Sequence, residues 1–191
     1  MKKYVILLIC VVLTGCFAST KNSAFYLMEA QKTQNTVSDA KFNIAVQDIV
    51  LPDYLKRPQI VLQEQDSPKL MISEFHRWGS DLGQMIQNTL LEDLQNVMPN
   101  AFVKPLMYGE STQYIVQVNL EKLSGDFNEN AVLRGDYKIV SATGKTIREK
   151  TFHLITPAGK NYVSYVEAQS KLIGDLATNI ALEIKDIRAR K

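Results

Sequence analysis

Both cysteines of the chain, Cys10 and Cys16, lie inside an apolar stretch at its N-terminus. The chain beyond residue 16 has no thiol, so it can form neither an internal disulfide nor a cysteine-ligated metal site. Any fold that it adopts must be stabilised by a hydrophobic core alone. This condition requires a chain long enough to bury a sizeable core.

The N-terminal stretch has the layout of a secretory signal. Lys2 and Lys3 form a positive region, residues 4–13 are an apolar run, and the small residues Thr14 and Gly15 follow. A helix that spans a bilayer needs roughly 20 apolar residues, and this run has only about half of that number. The stretch therefore predicts a cleaved signal and not a permanent transmembrane helix.

The sequence LTGC at residues 13–16 resembles the bacterial lipobox, in which the cysteine sulfur carries a diacylglyceryl group and cleavage occurs just before it. We therefore expect residues 1–15 to be a lipoprotein signal peptide and Cys16 to be the lipidated first residue of the mature chain. Residues 16–23 then form a lipidated tether, and residues 24–191 form one domain. The alternative is an ordinary signal peptide with a chance cysteine.

Charge argues against a nucleic-acid-binding protein. The formal net charge is +2, and removal of Lys2 and Lys3 brings the mature chain close to neutrality. Basic and acidic residues alternate throughout, so no basic face of the kind that DNA or RNA requires is indicated. The mature chain, at about 175 residues, has an ordinary size for a single domain.

Apolar periodicity predicts two long amphipathic helices. The first begins after Ser73, which we expect to cap it, and ends at Pro99. The second covers residues 161–188. The apolar stripe of the first comprises Phe75, Trp78, Leu82, Met85, Ile86, Leu90, Leu94 and Val97. Trp78 is expected to be a core residue because it lies on this stripe.

Alternating or short apolar runs predict about six or seven strands. They lie at residues 24–28, 42–46, 59–62, 101–103, 114–120, 133–139 and 146–155. Because each helix has only one apolar side, both can lie on one face of a sheet. We expect an α/β single-domain sandwich, with a mixed, mostly antiparallel sheet and two long amphipathic helices packed on it.

No catalytic, metal or cofactor site is predicted. His76 and His153 are the only histidines; they lie on different predicted elements, without helical i,i+4 spacing, so we expect both at the surface or at an edge. Gly144-Lys145-Thr146 lacks the upstream glycine of a phosphate-binding loop, because Ile139 occupies that position. A hairpin turn between two strands explains Gly144 instead.

One loop is a candidate partner-binding segment. Two prolines bracket a mixed aromatic and charged stretch between two predicted strands. The candidate residues are Pro52, Asp53, Tyr54, Leu55, Arg57 and Pro58. Two interpretations remain open: a rigid connection that limits the entropy of the unfolded chain, or a stiff protrusion that binds a partner.

The order of these segments resembles the PqiC/YmbA family of lipoproteins associated with ABC-type and MCE-type intermembrane transport. The resemblance is carried by the lipobox, AFYLM, AVQDIVLPDYLKRPQIVLQEQD and SEFHRWGSDLGQMIQNTLLEDLQNVMP, and it extends over essentially the whole chain. VLPDYLKRPQI and FHRWGSDL are its most specific parts.

The resemblance implies a lipoprotein without enzyme activity that docks on an MCE-domain protein similar to PqiB and on its inner-membrane component. It implies a lipid anchor in the outer membrane, with the domain facing the periplasm, because Phe17 follows Cys16 where an inner-membrane protein usually has Asp. A homo-oligomer also fits such a role, although no residue pattern indicates one.

Two other functions remain open. The domain could itself carry an acyl chain, which requires an apolar pocket between the helices and the sheet. It could instead be an outer-membrane lipoprotein that regulates a peptidoglycan enzyme.

Overall fold

The computed structural model describes residues 22–32, 36–37, 41–64, 67–107, 109 and 111–190. The predicted signal peptide, Cys16 and most of the tether lie outside the described residues. The described strands are β1 (Ala24–Tyr26), β2 (Phe42–Val46), β3 (Gln59–Leu62), β4 (Met71–Trp78), β5 (Ala101–Pro105), β6 (Tyr114–Ser124), β7 (Asn130–Ser141) and β8 (Thr146–Pro157). The two α-helices are α1 (Leu82–Val97) and α2 (Tyr162–Ala189).

The described strands form two sheets. The larger has the order β5-β2-β6-β7-β8, with parallel pairing from β5 to β6 and antiparallel pairing from β6 to β8. The smaller has the order β1-β4-β3 and is also mixed. The longest ladders are the antiparallel ones of β6, β7 and β8. The expected α/β class is confirmed, with a second small sheet that periodicity did not separate from the first.

The five-stranded sheet has one apolar face and one polar face. Buried residues alternate along β6 and β7, and α2 packs against β7 and β8 on the buried side. On the opposite face Asn119 donates to Asp136 at 2.9 Å, and Lys138 pairs with Glu149 at 3.1 Å. This is the pattern of a sheet that is covered on one side only.

The tail of α2 is joined to the edge strand β8 by charged side chains. The Arg148 guanidinium contacts Glu183 at 3.2 Å and Asp186 at 2.8 Å, and Lys150 reaches Glu183 at 3.4 Å. Exposed ion pairs contribute little individually, but several charges that share partners fix an orientation. The network therefore aligns the last turns of α2 with β8.

The predicted start of the first helix is wrong. Residues after Ser73 continue strand β4, and the helix begins at Leu82 with Asp81 as its N-cap, whose side chain accepts from the Gln84 N–H at 3.0 Å. Ser73 caps no helix, and its Oγ accepts the N–H of His76 at 3.1 Å. The spacing of apolar residues in β4 matches a helical period, but pairing with β1 and β3 fixes it as a strand.

The other predicted elements lie close to their expected positions. Helix α2 starts one residue later than predicted, and Asn161 and Ser164 form a reciprocal capping box at its start. Gly144 lies in the turn between β7 and β8 with φ +81°, which confirms the hairpin. Trp78 is 4% exposed and belongs to the core, as predicted. It is, however, the last residue of strand β4 and does not lie on a helix.

Replacement of Trp78 tests the core assignment. Trp78→Ala should lower the free energy of unfolding by about 3–5 kcal/mol, because it leaves a large cavity among packed side chains. Chemical denaturation of the purified protein measures this loss. Phe102→Ala is the matched control, since Phe102 is 61% exposed on β5, and its effect should stay within about 0.5 kcal/mol. Similar small losses in both variants would contradict the core assignment.

Candidate functional site

The candidate partner-binding loop folds into a tight turn. Pro52 has extended backbone angles, and residues Asp53–Leu55 form one turn of 3-10 helix. The Leu55 N–H donates to the Pro52 carbonyl at 3.0 Å, and the Lys56 N–H donates to the Asp53 carbonyl at 3.1 Å. The fixed φ of proline suits the position before such a turn. The backbone of this loop is therefore internally hydrogen-bonded.

The loop side chains divide between the core and the solvent. Leu51 and Leu55 are buried, and half-buried Tyr54 packs against the core. Burial raises the pKa of Tyr54, and the nearby Leu123 backbone partly offsets this rise, so the phenol stays protonated at neutral pH. Asp53 points to solvent.

The exposed side of the loop carries a small ion pair. The Lys56 ammonium contacts the Asp53 carboxylate at 2.8 Å, and this contact lowers the pKa of Asp53. Pro58, which ends the loop, is also exposed, while its carbonyl accepts the N–H of Trp78 at 2.7 Å. The loop thus presents a charged surface on a backbone that is held from both ends.

The six predicted loop residues are therefore brought together, but they do not all face outward. Tyr54 and Leu55 support the turn from inside, and Arg57 is half-buried, with a buried Nε that has no hydrogen-bond partner in the described part of the chain. Lys56, a charged residue between the two prolines, belongs to the exposed side. Partner binding by this loop stays a prediction.

A cluster of aromatic rings joins the N-terminal strand to the domain. The Tyr26 hydroxyl is hydrogen-bonded to His76 Nδ1 at 2.7 Å, and the His76 ring stacks on Tyr162 with 3.7 Å between centroids. The Phe127 ring contacts the Tyr162 ring edge-on, with 4.9 Å between centroids, and it contacts the Tyr165 ring edge-on at 6.3 Å. Such contacts add about 0.5–1.5 kcal/mol each beyond the buried area.

This cluster corrects the expectation for His76, which is half-buried among the rings and does not lie at a free surface. His153 is exposed on β8, as expected. Burial, with a smaller contribution from Tyr162, raises the pKa of Tyr26, so its hydroxyl remains protonated. Among the described residues, no group of three His, Cys, Asp or Glu side chains is arranged to hold a metal ion.

After β1 the chain crosses both helices as an extended strap, residues 27–32. The Glu29 N–H donates to Ser170 Oγ at 3.2 Å on α2, and the Gln31 N–H donates to Asp93 Oδ1 at 2.5 Å on α1. The strap therefore binds to both helices through side-chain acceptors. The backbone N–H groups of Glu29 and Gln31, which form no hydrogen bonds within a sheet, therefore have acceptors on the helices.

Asp93 is the buried acid of the helix interface. It is 1% exposed and lies close to Gly174 of α2, where an added Cβ would be 3.6 Å from its carboxylate and only 2.7 Å from the Gln31 side chain. Burial raises its pKa to about 7; the Gln31 N–H opposes this rise, and the charges of Glu92 and Asp175 add to it. Its Oδ2 has no hydrogen-bond partner in the part of the chain that the structure describes.

A surface groove of about 420 Å³ separates the strap from the first half of α2. It lies outside the core, and it is not an apolar cavity between the helices and the five-stranded sheet. Its lining is Tyr26, Leu27, Glu29, Ala30, Gln31, Val163, Val166, Glu167 and Ser170. The mixture of carboxylates and apolar side chains differs from the apolar lining expected of an acyl-chain site.

The fold and full length of the chain match known proteins. Residues 25–181 match the family model of the ABC-type transport auxiliary lipoprotein component. Proteins of Escherichia coli (strain K12) and Shigella flexneri, both named intermembrane transport lipoprotein PqiC, are 27% identical to this chain over 188 residues. Each alignment covers 97% of this chain and 98% of the relative.

Two solved structures share the fold. The crystal structure of an uncharacterized protein superposes with a TM-score of 0.73 at 23% identity, and covers 86% of this chain and 99% of that one. A Xanthomonas campestris protein superposes with a TM-score of 0.71 at 11% identity, and covers 87% and 98%. At these identities the two structures support the fold alone.

The chain belongs to the family of ABC-type transport auxiliary lipoproteins, since the family model matches well over half of it. The resemblance to PqiC noted from the sequence is thereby confirmed. Neither of the described helices combines the length and apolar composition needed to cross a membrane.

Asp93 should make stability depend on pH in a defined direction. The folded chain keeps this proton up to pH about 7, whereas the unfolded chain releases it near the ordinary value of 3.8. Unfolding free energy should therefore fall as pH rises between these values and level off above pH about 7. Asp93→Asn keeps an acceptor for Gln31 and should remove this decline.

The measurement is denaturant unfolding of wild type and variant from pH 5 to pH 8. The control is Glu149→Gln, which removes a carboxylate that is 56% exposed on the polar face of the five-stranded sheet, opposite the helices. The difference in stability between Asp93→Asn and wild type should grow with pH, whereas it should change little for the control. A constant difference for Asp93→Asn would contradict the assignment.

Proposed function

We propose that this chain is a non-catalytic adaptor of an ABC-type MCE transport system, anchored by lipid in the outer membrane and facing the periplasm. Its partners are an MCE-domain protein similar to PqiB and the inner-membrane component of that system. The observation that carries the proposal is the full-length similarity to proteins named as intermembrane transport lipoproteins, which spans both the predicted signal and the domain.

The anchor is proposed at Cys16. A single acyl chain binds a bilayer only marginally, whereas two or more chains hold a protein stably. A diacylglyceryl cysteine therefore suffices as a durable attachment. Phe17 at the next position supports the outer membrane as the address. The tether of residues 16–23 can extend by at most about 25–30 Å, so the domain stays close to the membrane.

The docking element is proposed to be the loop of residues 52–58. Its exposed charges, Asp53 and Lys56, stand on a backbone that is hydrogen-bonded within the turn and tied to Trp78. A surface already ordered before binding loses less conformational entropy when a partner docks. The loop is thus suited to recognising a polar surface on a protein partner.

The absence of catalysis is part of the proposal, and two observations support it. The family is named for an auxiliary component of a transporter. His76 stacks on Tyr162 and is hydrogen-bonded to Tyr26 within the aromatic cluster that holds β1. These contacts give the histidine a structural role.

Cys16→Ala tests the anchor. The variant should accumulate as an uncleaved or mislocalised precursor, because the lipid-modified sulfur is required before the signal is removed. Fractionation of cell envelopes and intact-mass measurement detect this change. The domain should still fold, because Cys16 precedes all the described elements. Normal processing and outer-membrane recovery of Cys16→Ala would refute the anchor.

Charge reversal in the loop tests docking. Purification from membranes in mild detergent should recover the MCE-domain partner with the wild-type chain. Lys56→Glu should reduce that recovery by about tenfold or more, since like charges placed across an interface cost several kcal/mol. The readout is the ratio of partner to bait after crosslinking.

Lys171→Glu is the matched control for this experiment. Lys171 is 52% exposed and pairs with Asp175 on one helix face, just as Lys56 is 57% exposed and pairs with Asp53 in one turn. Both substitutions create a local acidic pair, but only one lies in the loop. Equal recovery of the partner with both variants would exclude the loop, and repeated failure to recover it with wild type would contradict the adaptor role.

A further inference from the structure

The most exposed large apolar side chains of the described residues lie at the start of the domain. Phe25 is 66% exposed and Leu27 is 63% exposed. They alternate with Tyr26, so both point away from the aromatic cluster to which Tyr26 belongs. Across the groove, Val163 on the first turn of α2 is 56% exposed. We define Phe25, Leu27 and Val163 as the N-terminal apolar rim.

The fold itself does not account for this rim. Strand β1 is an edge strand, paired only with β4 in the three-stranded sheet. An exposed edge strand with outward apolar residues favours aggregation unless something covers it. Its inward side is already fixed by the Tyr26–His76 contact at 2.7 Å, so the outward side chains are not needed to hold the strand.

The position of the rim along the chain indicates what covers it. Phe25 follows Cys16 by nine residues, which span at most about 30 Å when extended and about 15–18 Å as a flexible coil. A domain of this size has a radius of gyration of about 15 Å, so its far side lies beyond the typical reach of the tether. Lipid on Cys16 therefore keeps the rim closer to the bilayer than most of the domain surface.

The neighbouring charges agree with a membrane interface at the rim. Arg77 lies in register with Phe25 on the adjacent strand and is half-buried; its Nε is buried without a hydrogen-bond partner among the described residues, so only the outer part of the guanidinium can reach solvent or lipid. A guanidinium beside an apolar side chain suits the level of lipid phosphates. The carboxylates of Glu29 and Glu167 line the groove together with Leu27 and Val163, so these acids limit how deeply the rim can enter the bilayer.

We propose that Phe25, Leu27 and Val163 insert into the interface of the bilayer that holds the Cys16 lipid, with Arg77 at the phosphate level. The inference rests on the anchor in the proposed function. The lipid then supplies attachment, and the rim supplies orientation. The three apolar side chains of the rim, together with the lipid, would fix which surface of the domain faces away from the membrane.

The mature chain allows a direct test, because it has no cysteine besides the lipidated Cys16. Phe25→Cys introduces one thiol at the rim, which can carry an environment-sensitive fluorophore. The full lipidated chain is reconstituted into vesicles of phosphatidylethanolamine and phosphatidylglycerol. Phe102→Cys is the matched control, since Phe102 is an equally exposed aromatic residue on an edge strand, β5, far along the chain from the tether.

The expected result is a blue-shifted emission at position 25 that loses most of its intensity when the vesicles contain brominated acyl chains. Position 102 should keep the emission of a label in water. The same water-like emission at both positions in vesicle-bound protein would overturn the rim proposal and leave the anchor standing. Protein that does not float with vesicles would overturn both.

A protein partner is the competing occupant, and the same label distinguishes it. If the emission at position 25 shifts only when the purified MCE-domain partner is added, and brominated lipid does not quench it, the rim is a protein-binding surface and the proposal fails. Phe25 and Leu27 are exposed, so substitution there should not unfold the domain, and an unchanged unfolding midpoint verifies this.

Discussion

The buried stripe of α2 is the interaction on which the rest of the structure depends. Leu172, Ile173, Leu176, Ile180 and Ile184 are completely buried, and the helix contacts α1 on one side and β7 and β8 on another. Its first turns reach the small sheet, where the Tyr165 hydroxyl donates to the Val61 carbonyl at 3.2 Å. A chain that has no disulfide beyond its N-terminus relies on such a shared element to hold two sheets together.

The surfaces proposed to be functional are positioned by this framework. The strap binds to α2 through Ser170 and to α1 through Asp93, so the end of the tether has a fixed point of entry. The loop of residues 52–58 is tied through Pro58 to β4, which also pairs with β1. The small sheet thus connects the N-terminal entry to the candidate docking loop through a few hydrogen-bonded strands.

Much of the fold could be predicted because it follows from periodicity. The alternation in β6 and β7 and the long stripe of α2 match their predicted elements closely. The start of α1 could not be predicted, since Phe75 and Trp78 continue the helical spacing of α1 while belonging to β4. Only pairing with other strands, which a single sequence does not reveal, decides between the two.

The candidate site was harder to predict than the fold, because its contacts also depend on tertiary packing. The prolines of the loop predicted a rigid segment, but the inward direction of Tyr54 and the exposed ion pair of Lys56 with Asp53 depend on tertiary packing. The aromatic cluster joins residues from two strands, a loop and a helix, and no local pattern links them. Asp93 lies between Glu92 and Leu94 in the sequence, and no local pattern shows that α2 and the strap bury its carboxylate in the folded chain.

The central claim is that an anchored, rigid domain docks its loop on an MCE-domain partner. Site-specific photocrosslinking in intact cells tests it most directly, with the photoreactive residue at Asp53 and, as a control, at half-exposed Asp175 on α2. The account predicts a crosslink from position 53 to an MCE-domain membrane protein and none from position 175. A crosslink from position 53 to a peptidoglycan enzyme, or crosslinks to the MCE protein from position 175 alone, would contradict it.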